Sequence, residues 1–117
     1  MRHFKIKEFV SPDFFGSGIF MKLDFLEMLD ETRELADIPF IINSGYRTKK
    51  HNKKVGGKAD SSHTSGNAAD IKCEDSISRF KIIEAALRAG FTRIGIAKTF
   101  IHLDNDINKV QNVIWTY

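Results

Sequence analysis

The sequence predicts a single α+β domain, residues 1–117, in which helices flank a small antiparallel sheet. Two stretches repeat their apolar residues at helical spacing, and five short apolar or alternating stretches predict strands. A length of 117 residues suits one domain with one modest core, and a hydrophobic content of 42% suits a globular chain. We find no internal repeat, low-complexity segment or linker.

The N-terminal segment is predicted to be mostly loop. Residues 1–10 indicate a loop or short strand, and Ser11-Pro12-Asp13 indicates a turn. Three phenylalanines, Phe14, Phe15 and Phe20, surround a Gly-Ser-Gly sequence. We expect these aromatic side chains to cover one end of the core. A mobile aromatic flap beside a binding cleft is the alternative.

The next elements are a helix, a strand and a short helix. Residues 22–36 repeat apolar side chains near 3.6-residue spacing, with charged residues between them. Residues 38–43 form an apolar run that predicts a buried strand. Residues 48–55 predict a short helix that ends at Gly56-Gly57. Its lysines are expected to form a solvated face, and His51 is expected to be a surface histidine rather than a metal ligand.

The C-terminal half predicts a helix among four strands. A strand over 68–73 precedes a helix that Ser76 caps and Gly90 terminates. Residues 93–97 and 100–104 predict a hairpin, and residues 113–117 predict a last strand. The apolar stripe predicted for the helix is Ile77, Phe80, Ile83, Ala86 and Leu87.

Residues 61–70 place an imidazole and a carboxylate on either side of a glycine-containing turn. Their Ser, Thr, Gly and Asn content favours a loop over a helix. We therefore expect the loop to fold back, so that His63 faces Asp70 at the start of a strand. Catalytic zinc uses about three ligands from His, Cys, Asp or Glu and keeps one position open. A single His–Asp pair is more often an ordinary hydrogen bond, so it needs support from elsewhere.

Two other segments supply that support. In a strand over 100–104, alternation of side chains places His102 and Asp104 on one face and Ile101 on the other. A second imidazole and a second carboxylate therefore lie side by side. The strand over 38–43 leads into Ser-Gly-Tyr-Arg, which delivers Arg47 where a guanidinium can bind a carboxylate through two hydrogen bonds.

In this order, the motifs resemble those of the zinc D-Ala-D-Ala carboxypeptidase family. Relatives of that family include the vancomycin-resistance dipeptidases, several phage endolysins and the Hedgehog signalling domain. The resemblance covers about residues 38–104 and implies a Hedgehog-like or DD-peptidase-like fold. It is carried by Ser-Gly-Tyr-Arg, Asn-Lys-Lys-Val-Gly-Gly, Ser-x-His-x-x-Gly-x-Ala-x-Asp and a late His-x-Asp.

The resemblance also implies the roles of individual residues. In such proteins the motif His, the motif Asp and the late His bind zinc, which implies one Zn²⁺ ion on His63, Asp70 and His102. The motif Ser and the upstream Arg contact substrate, which implies this role for Ser61 and Arg47. The implied activity is hydrolysis of peptide bonds in peptidoglycan stem peptides by a metal-activated water, as in a D,D-carboxypeptidase or an endolysin-like endopeptidase.

The general base departs from the family pattern. Many members carry Glu or Asp three residues before the last zinc ligand, where this chain has Thr99. Asp104 is the carboxylate on the same strand face as His102, and we predict that it is the base. The alternative is that Asp104 accepts a hydrogen bond that orients His102, and Asp106 is a third candidate. The departure also allows a second hypothesis, a catalytically inactive, zinc-stabilised cell-wall-binding module.

Composition limits the partners and the compartment. A net charge of +3 and a pI of about 9.1 favour an anionic polymer. No basic run is interleaved with aromatic residues, so nucleic acid is not predicted and cell wall is. The single cysteine, Cys73, excludes an internal disulfide and is expected to be buried. We expect a monomer.

No stretch has the pattern of a signal peptide, and none is apolar enough to span a membrane. We therefore expect synthesis in the cytoplasm and action on the cell wall after release, through phage or prophage lysis or as part of a virion.

Overall fold

The computed structural model describes residues 1–117 and contains three α-helices and one five-stranded sheet. The α+β class predicted from the sequence is confirmed. The helices are α1 (Leu23–Ala36), α2 (Lys49–Lys54) and α3 (Ser76–Arg88). The strands are β1 (Ile42–Ser44), β2 (Ala68–Lys72), β3 (Arg93–Ile96), β4 (Phe100–Asp104) and β5 (Val113–Thr116). Short 3₁₀ helices cover Ile6–Phe9 and Ser17–Phe20.

The sheet has the strand order β1-β2-β4-β3-β5. Four strands pair antiparallel, as predicted, whereas β5 runs parallel to β3. The chain leaves β4 beside the N-terminal end of β3, and residues 105–112 then cross β3 at that same end. Strand β5 therefore begins opposite Arg93 and runs in the direction of β3.

One face of the sheet packs on α1 and α3. Ile101 and Leu103 of β4 are fully buried in the hydrophobic core, as strand alternation predicts. Phe25 and Leu29 of α1 and Ile82 of α3 belong to the same cluster. The core therefore lies on one side of the sheet, and the other side of β2, β3 and β4 is left for polar side chains.

The first strand is shorter than predicted. Only Ile42–Ser44 forms strand structure, and Ile41 is exposed. Because β1 lies at the edge of the sheet, it has one neighbour and does not need burial along its whole length.

Helix α3 buries only part of the face predicted. Ala86 is buried and Ile83 packs against the core, as predicted, whereas Ile77, Phe80 and Leu87 are exposed. Ile82 and Ala85 are buried instead. The small alanines let α3 approach its neighbours closely. The N-cap is Asp75 rather than Ser76, because the Asp75 carboxylate accepts a hydrogen bond from the backbone N–H of Ser78 at 2.7 Å.

The phenylalanine-rich loop does not cover the core as expected. Phe15 is fully exposed, and Phe14 and Phe20 are about half exposed. Phe20 packs on Tyr46, with ring centroids 5.4 Å apart. Cys73 is buried, as predicted. No helix of the structure combines the length and the apolar character that crossing a membrane requires.

Glycine 66 holds the loop over residues 61–67 against the N-terminal segment. Its carbonyl accepts a hydrogen bond from the backbone N–H of Lys22 at 2.7 Å. Its φ is +77°, and a Cβ here would lie 2.2 Å from the carbonyl oxygen of Phe20. Gly66 is therefore required both for its backbone conformation and for close contact.

We predict that Gly66→Ala destabilises the protein more than Gly56→Ala. Both glycines have a φ of +77°, but a Cβ at Gly56 would meet nothing within 4 Å. Gly56→Ala should lower the free energy of unfolding by about 1–2 kcal/mol, the cost of the left-handed backbone conformation. Gly66→Ala should lower it by about 1–3 kcal/mol more, because the backbone must shift. Urea denaturation measures both values, and equal losses would contradict the proposed contact.

Candidate metal centre

The polar face of the sheet carries one row of paired residues across all five strands. Ser44 pairs with Asp70, Asp70 with His102, His102 with Gly95, and Gly95 with Trp115. Strand alternation directs these side chains away from the hydrophobic core. The register between β2 and β4 therefore places the carboxylate of Asp70 beside the imidazole of His102.

The loop over residues 61–67 adds His63 to this pair. Nitrogen and oxygen atoms of His63, Asp70 and His102 lie within 4.8 Å of one another, and all three residues are buried. Asp70 Oδ1 is 3.3 Å from His63 Nε2 and 2.9 Å from His102 Nδ1. Tetrahedral zinc with bonds near 2.0–2.2 Å separates its ligand atoms by about 3.3 Å. The structure thus brings together the three residues that the sequence predicted, at spacings that fit one zinc ion.

Each histidine is oriented by a partner on its outer side. His63 Nδ1 donates a hydrogen bond to the carbonyl oxygen of Gly45 at 2.8 Å, and His102 Nε2 donates to Asp104 Oδ2 at 2.7 Å. Each imidazole is therefore left with its other nitrogen facing Asp70. Metal-binding histidines are usually held in this way, because the outer hydrogen bond fixes both the tautomer and the ring orientation.

Burial and hydrogen bonding shift the pKa values of two of the three candidate ligands. Burial opposes the charged form of Asp70, but hydrogen bonds from His102 and His63 outweigh it and hold the pKa of Asp70 well below its usual range. Burial likewise opposes a charged His102, yet its hydrogen bonds with Asp104 and Asp70 raise the pKa of His102. A proton and a metal ion therefore compete for the nitrogen of His102 that faces Asp70.

Arg47 lies at the end of β1, as predicted, beside the carboxylate of Asp70. Its Nη2 is 3.5 Å from Asp70 Oδ2, the oxygen that faces away from the His102 ring. Its Nε donates to Ser44 Oγ at 3.0 Å, and its Nη1 donates to Asn52 Oδ1 at 3.3 Å. The guanidinium is thus held by three partners, while it also lines the cleft above the centre.

Asp104 uses both carboxylate oxygens within the protein. Oδ2 accepts the hydrogen bond from His102, and Oδ1 accepts from Arg93 Nε at 2.7 Å and from the Asp106 backbone N–H at 3.1 Å. Asp104 is only 1% exposed. These contacts favour the orienting role that the sequence left open, and they count against the prediction that Asp104 is the base.

The other candidate positions lie outside the centre. Asp106 is buried and accepts a hydrogen bond from Ser62 Oγ at 2.8 Å. Thr99 lies in the exposed turn between β3 and β4. His51 is half-buried and does not belong to the cluster that could hold a metal.

A cleft of about 600 Å³ opens above the three candidate ligands. Ser61 and Arg47 line it, as predicted, whereas the phenylalanines of the N-terminal loop do not. Sequence reasoning missed Arg93, Trp115 and Tyr117, which also line the cleft. Alternation along residues 113–117 would have placed Trp115 and Tyr117 on one face, but it could not show which strand lies beside them.

Three buried side chains that could hold a metal ion lie at the base of a polar cleft, and together they define a candidate metallopeptidase centre. The profile of the family described as Peptidase M15 matches residues 2–104. The chain therefore belongs to the peptidase M15 family, whose members are zinc-dependent peptidases. This confirms the resemblance to the zinc D-Ala-D-Ala carboxypeptidases. A search of curated proteins finds no match to the chain.

We predict that the protein binds one zinc ion and that His63→Ala removes most of this affinity. Loss of an outer hydrogen-bond partner lowers metal affinity about 10- to 100-fold, so loss of a direct ligand should lower it further. His51→Ala is the matched control and should bind zinc like the unchanged protein. Isothermal titration calorimetry with zinc measures the affinity, and elemental analysis of the purified variants measures the stoichiometry. Equal zinc binding by the two variants would exclude His63 as a ligand.

Proposed function

We propose that this chain is a zinc-dependent peptidase that hydrolyses peptide bonds in the stem peptides of peptidoglycan. It would act as a D,D-carboxypeptidase or as an endopeptidase of the endolysin kind, on wall reached during phage or prophage lysis. The proposal depends chiefly on one observation. His63, Asp70 and His102 direct three donor atoms to one point at the base of a cleft, in a chain of the peptidase M15 family.

The two histidines among the candidate ligands are held by outer hydrogen bonds. His63, Asp70 and His102 would hold the ion, and the hydrogen bonds of His63 to Gly45 and of His102 to Asp104 orient the imidazoles before it binds. When bound, zinc lowers the pKa of water toward about 7 and polarises a carbonyl, which is the chemistry that peptide hydrolysis needs.

Arg47 and Ser61 would hold the substrate. The Arg47 contacts with Asn52 and Asp70 are long, at 3.3 and 3.5 Å, so a substrate carboxylate can compete for the same nitrogens. Ser61 is half-buried beside His63, and its Oγ accepts the His63 backbone N–H at 3.2 Å. The hydroxyl hydrogen of Ser61 is then available to donate to the peptide.

The charge of the cleft supports an anionic substrate. Four of its lining residues are cationic and three are carboxylates, so the lining carries one more positive than negative charge, and a bound Zn²⁺ would add two more. The cationic residues are Arg47, Lys58, Arg93 and Lys109. Stem peptides carry free carboxylates, so their negative charge complements the positive charge of this cleft.

Asp104 would act as a positioning residue. Both of its oxygens accept hydrogen bonds inside the protein, so it would orient His102 and would not act as the general base that takes a proton from water. Asp60 is the exposed carboxylate that lines the same cleft, and it is the next candidate for the base.

The direct test incubates the zinc-loaded protein with purified cell walls of several chemistries. Mass spectrometry of the products should show loss of terminal D-alanine or release of shortened peptides, and the mass difference identifies the bond. His63→Ala should release nothing, whereas His51→Ala should act like the unchanged protein. If the zinc-loaded protein sediments with the walls but releases no peptide, the alternative of an inactive cell-wall-binding module is correct.

We predict that Asp104→Asn weakens zinc binding more than it slows turnover. The amide keeps the shape but loses the charge that orients His102, so zinc affinity should fall about 10- to 100-fold. Turnover at saturating zinc should stay close to that of the unchanged protein. Zinc titration and peptide release at saturating zinc separate the two effects.

Normal zinc affinity with turnover lowered about 10²- to 10⁴-fold would instead identify Asp104 as the general base. Asp60→Asn, measured in parallel, tests the other carboxylate of the cleft.

A further inference from the structure

Three aromatic residues form one wall of the cleft, and we call them the aromatic wall: Phe100, Trp115 and Tyr117. They are the only hydrophobic residues among the sixteen that line the cleft. Trp115 and Tyr117 belong to residues 105–117, which lie beyond the part of the chain that matches the family profile. The wall is therefore largely a feature of this chain's C-terminal segment.

The structure makes specific room for this wall. A Cβ on Gly95 would lie 2.7 Å from Trp115 Nε1 and 2.9 Å from Tyr117 Cε1. Any side chain larger than hydrogen at position 95 would therefore displace both rings. The guanidinium carbon of Arg93 lies 4.9 Å from the centre of the Trp115 ring, which holds that ring by a cation–π contact.

The wall stands directly beside the candidate metal centre. The Trp115 ring centroid is 5.5 Å from that of His102, and Phe100 packs edge-on against Tyr117 at 5.1 Å. The same cleft is also lined by glycine, charged and hydroxyl residues between positions 56 and 62. A peptide whose scissile bond lies over the centre would therefore meet both polar surface and the aromatic wall.

Packing alone does not account for the wall. Tyr117 is 70% exposed, although its ring lies on Gly95 and Phe100. An aromatic ring placed only to complete a core would be buried. An exposed ring at the edge of a polar cleft offers apolar surface to a ligand, as aromatic residues do in most binding pockets.

We propose that the aromatic wall is a specificity subsite that binds the apolar side chain of the substrate residue next to the scissile bond. This inference rests on the proposed peptidase function. A sugar ring of the glycan strand would offer similar apolar surface. The short distance from Trp115 to His102 favours the peptide, because the residue that carries the scissile bond must lie at that point.

Trp115 is the only tryptophan of the chain, so its fluorescence reports on the wall directly. The zinc-loaded protein is titrated with a synthetic stem pentapeptide that ends in D-Ala-D-Ala and carries no sugar, and with the same pentapeptide attached to its disaccharide. The proposal expects a saturable change in fluorescence with the sugar-free peptide. A change that requires the disaccharide would assign the wall to the glycan and overturn the proposal.

Tyr117→Ala tests the contribution of the wall without removing buried packing. An aromatic contact of this kind contributes a factor of about 2 to 10 in affinity. The variant should therefore raise both the dissociation constant of the pentapeptide and the KM for its hydrolysis by about that factor. Its kcat and zinc content should remain those of the unchanged protein, because the lost contact is uniform binding.

Two further variants complete the design. Ile114→Ala lies on the same strand, is exposed and points to the other face of the sheet, so it should change neither KM nor fluorescence. Gly95→Ala keeps both rings but forces them from their places, and it should reproduce the rise in KM.

The outcomes separate this inference from the proposed function. If Tyr117→Ala releases peptide with an unchanged KM, the aromatic wall is not a subsite, and the proposed peptidase function is unaffected. If the fluorescence changes saturably but no peptide is released from any bacterial cell wall, the subsite is supported in a protein that binds and does not cleave.

Discussion

The register between β2 and β4 is the constraint on which the candidate centre depends. Asp70 lies directly opposite His102 in this antiparallel pair, and a slip of one residue would turn one of them into the core. The same register places Ile71 opposite Ile101 and Ala69 opposite Leu103 in the hydrophobic core. Packing of the core and assembly of the polar centre are therefore fixed by one set of strand hydrogen bonds.

The polar face of the sheet is a dense network of buried charges. Asp70, His102 and Asp104 are all buried, and an isolated buried charge would be strongly destabilising. Here each charge has a partner: Asp70 contacts both histidines and Arg47, while Asp104 contacts His102 and Arg93. Removing one member would leave its partner unpaired in a buried position, so the members of the network support one another. Such support suits a centre whose ligands must be in place before the metal binds.

Strand β5 extends this arrangement beyond the part of the chain shared with the family profile. Its parallel pairing with β3 places Trp115 at the end of the row that contains Asp70 and His102. Gly95 lies between His102 and Trp115 in this row. Only glycine at this position leaves space for the rings of Trp115 and Tyr117. The row of the sheet that contains the candidate metal ligands and the apolar lining of the cleft are consequently parts of one surface.

The sequence alone determined the class of fold, the hairpin of β3 and β4, and the residues of the candidate centre. Those features depend on local periodicity and on motifs that keep their order along the chain, so they are visible without a structure. The direction of β5, the buried face of α3 and the aromatic wall were decided only by the tertiary structure. Each depends on which distant segment becomes a neighbour. The small side chains of Ala85 and Ala86 allow α3 to pack closely, and the missing side chain of Gly95 leaves space for the Trp115 ring. The role of Asp104 was ambiguous for the same reason, since Arg93, eleven residues earlier, reaches its second oxygen only when β3 and β4 pair.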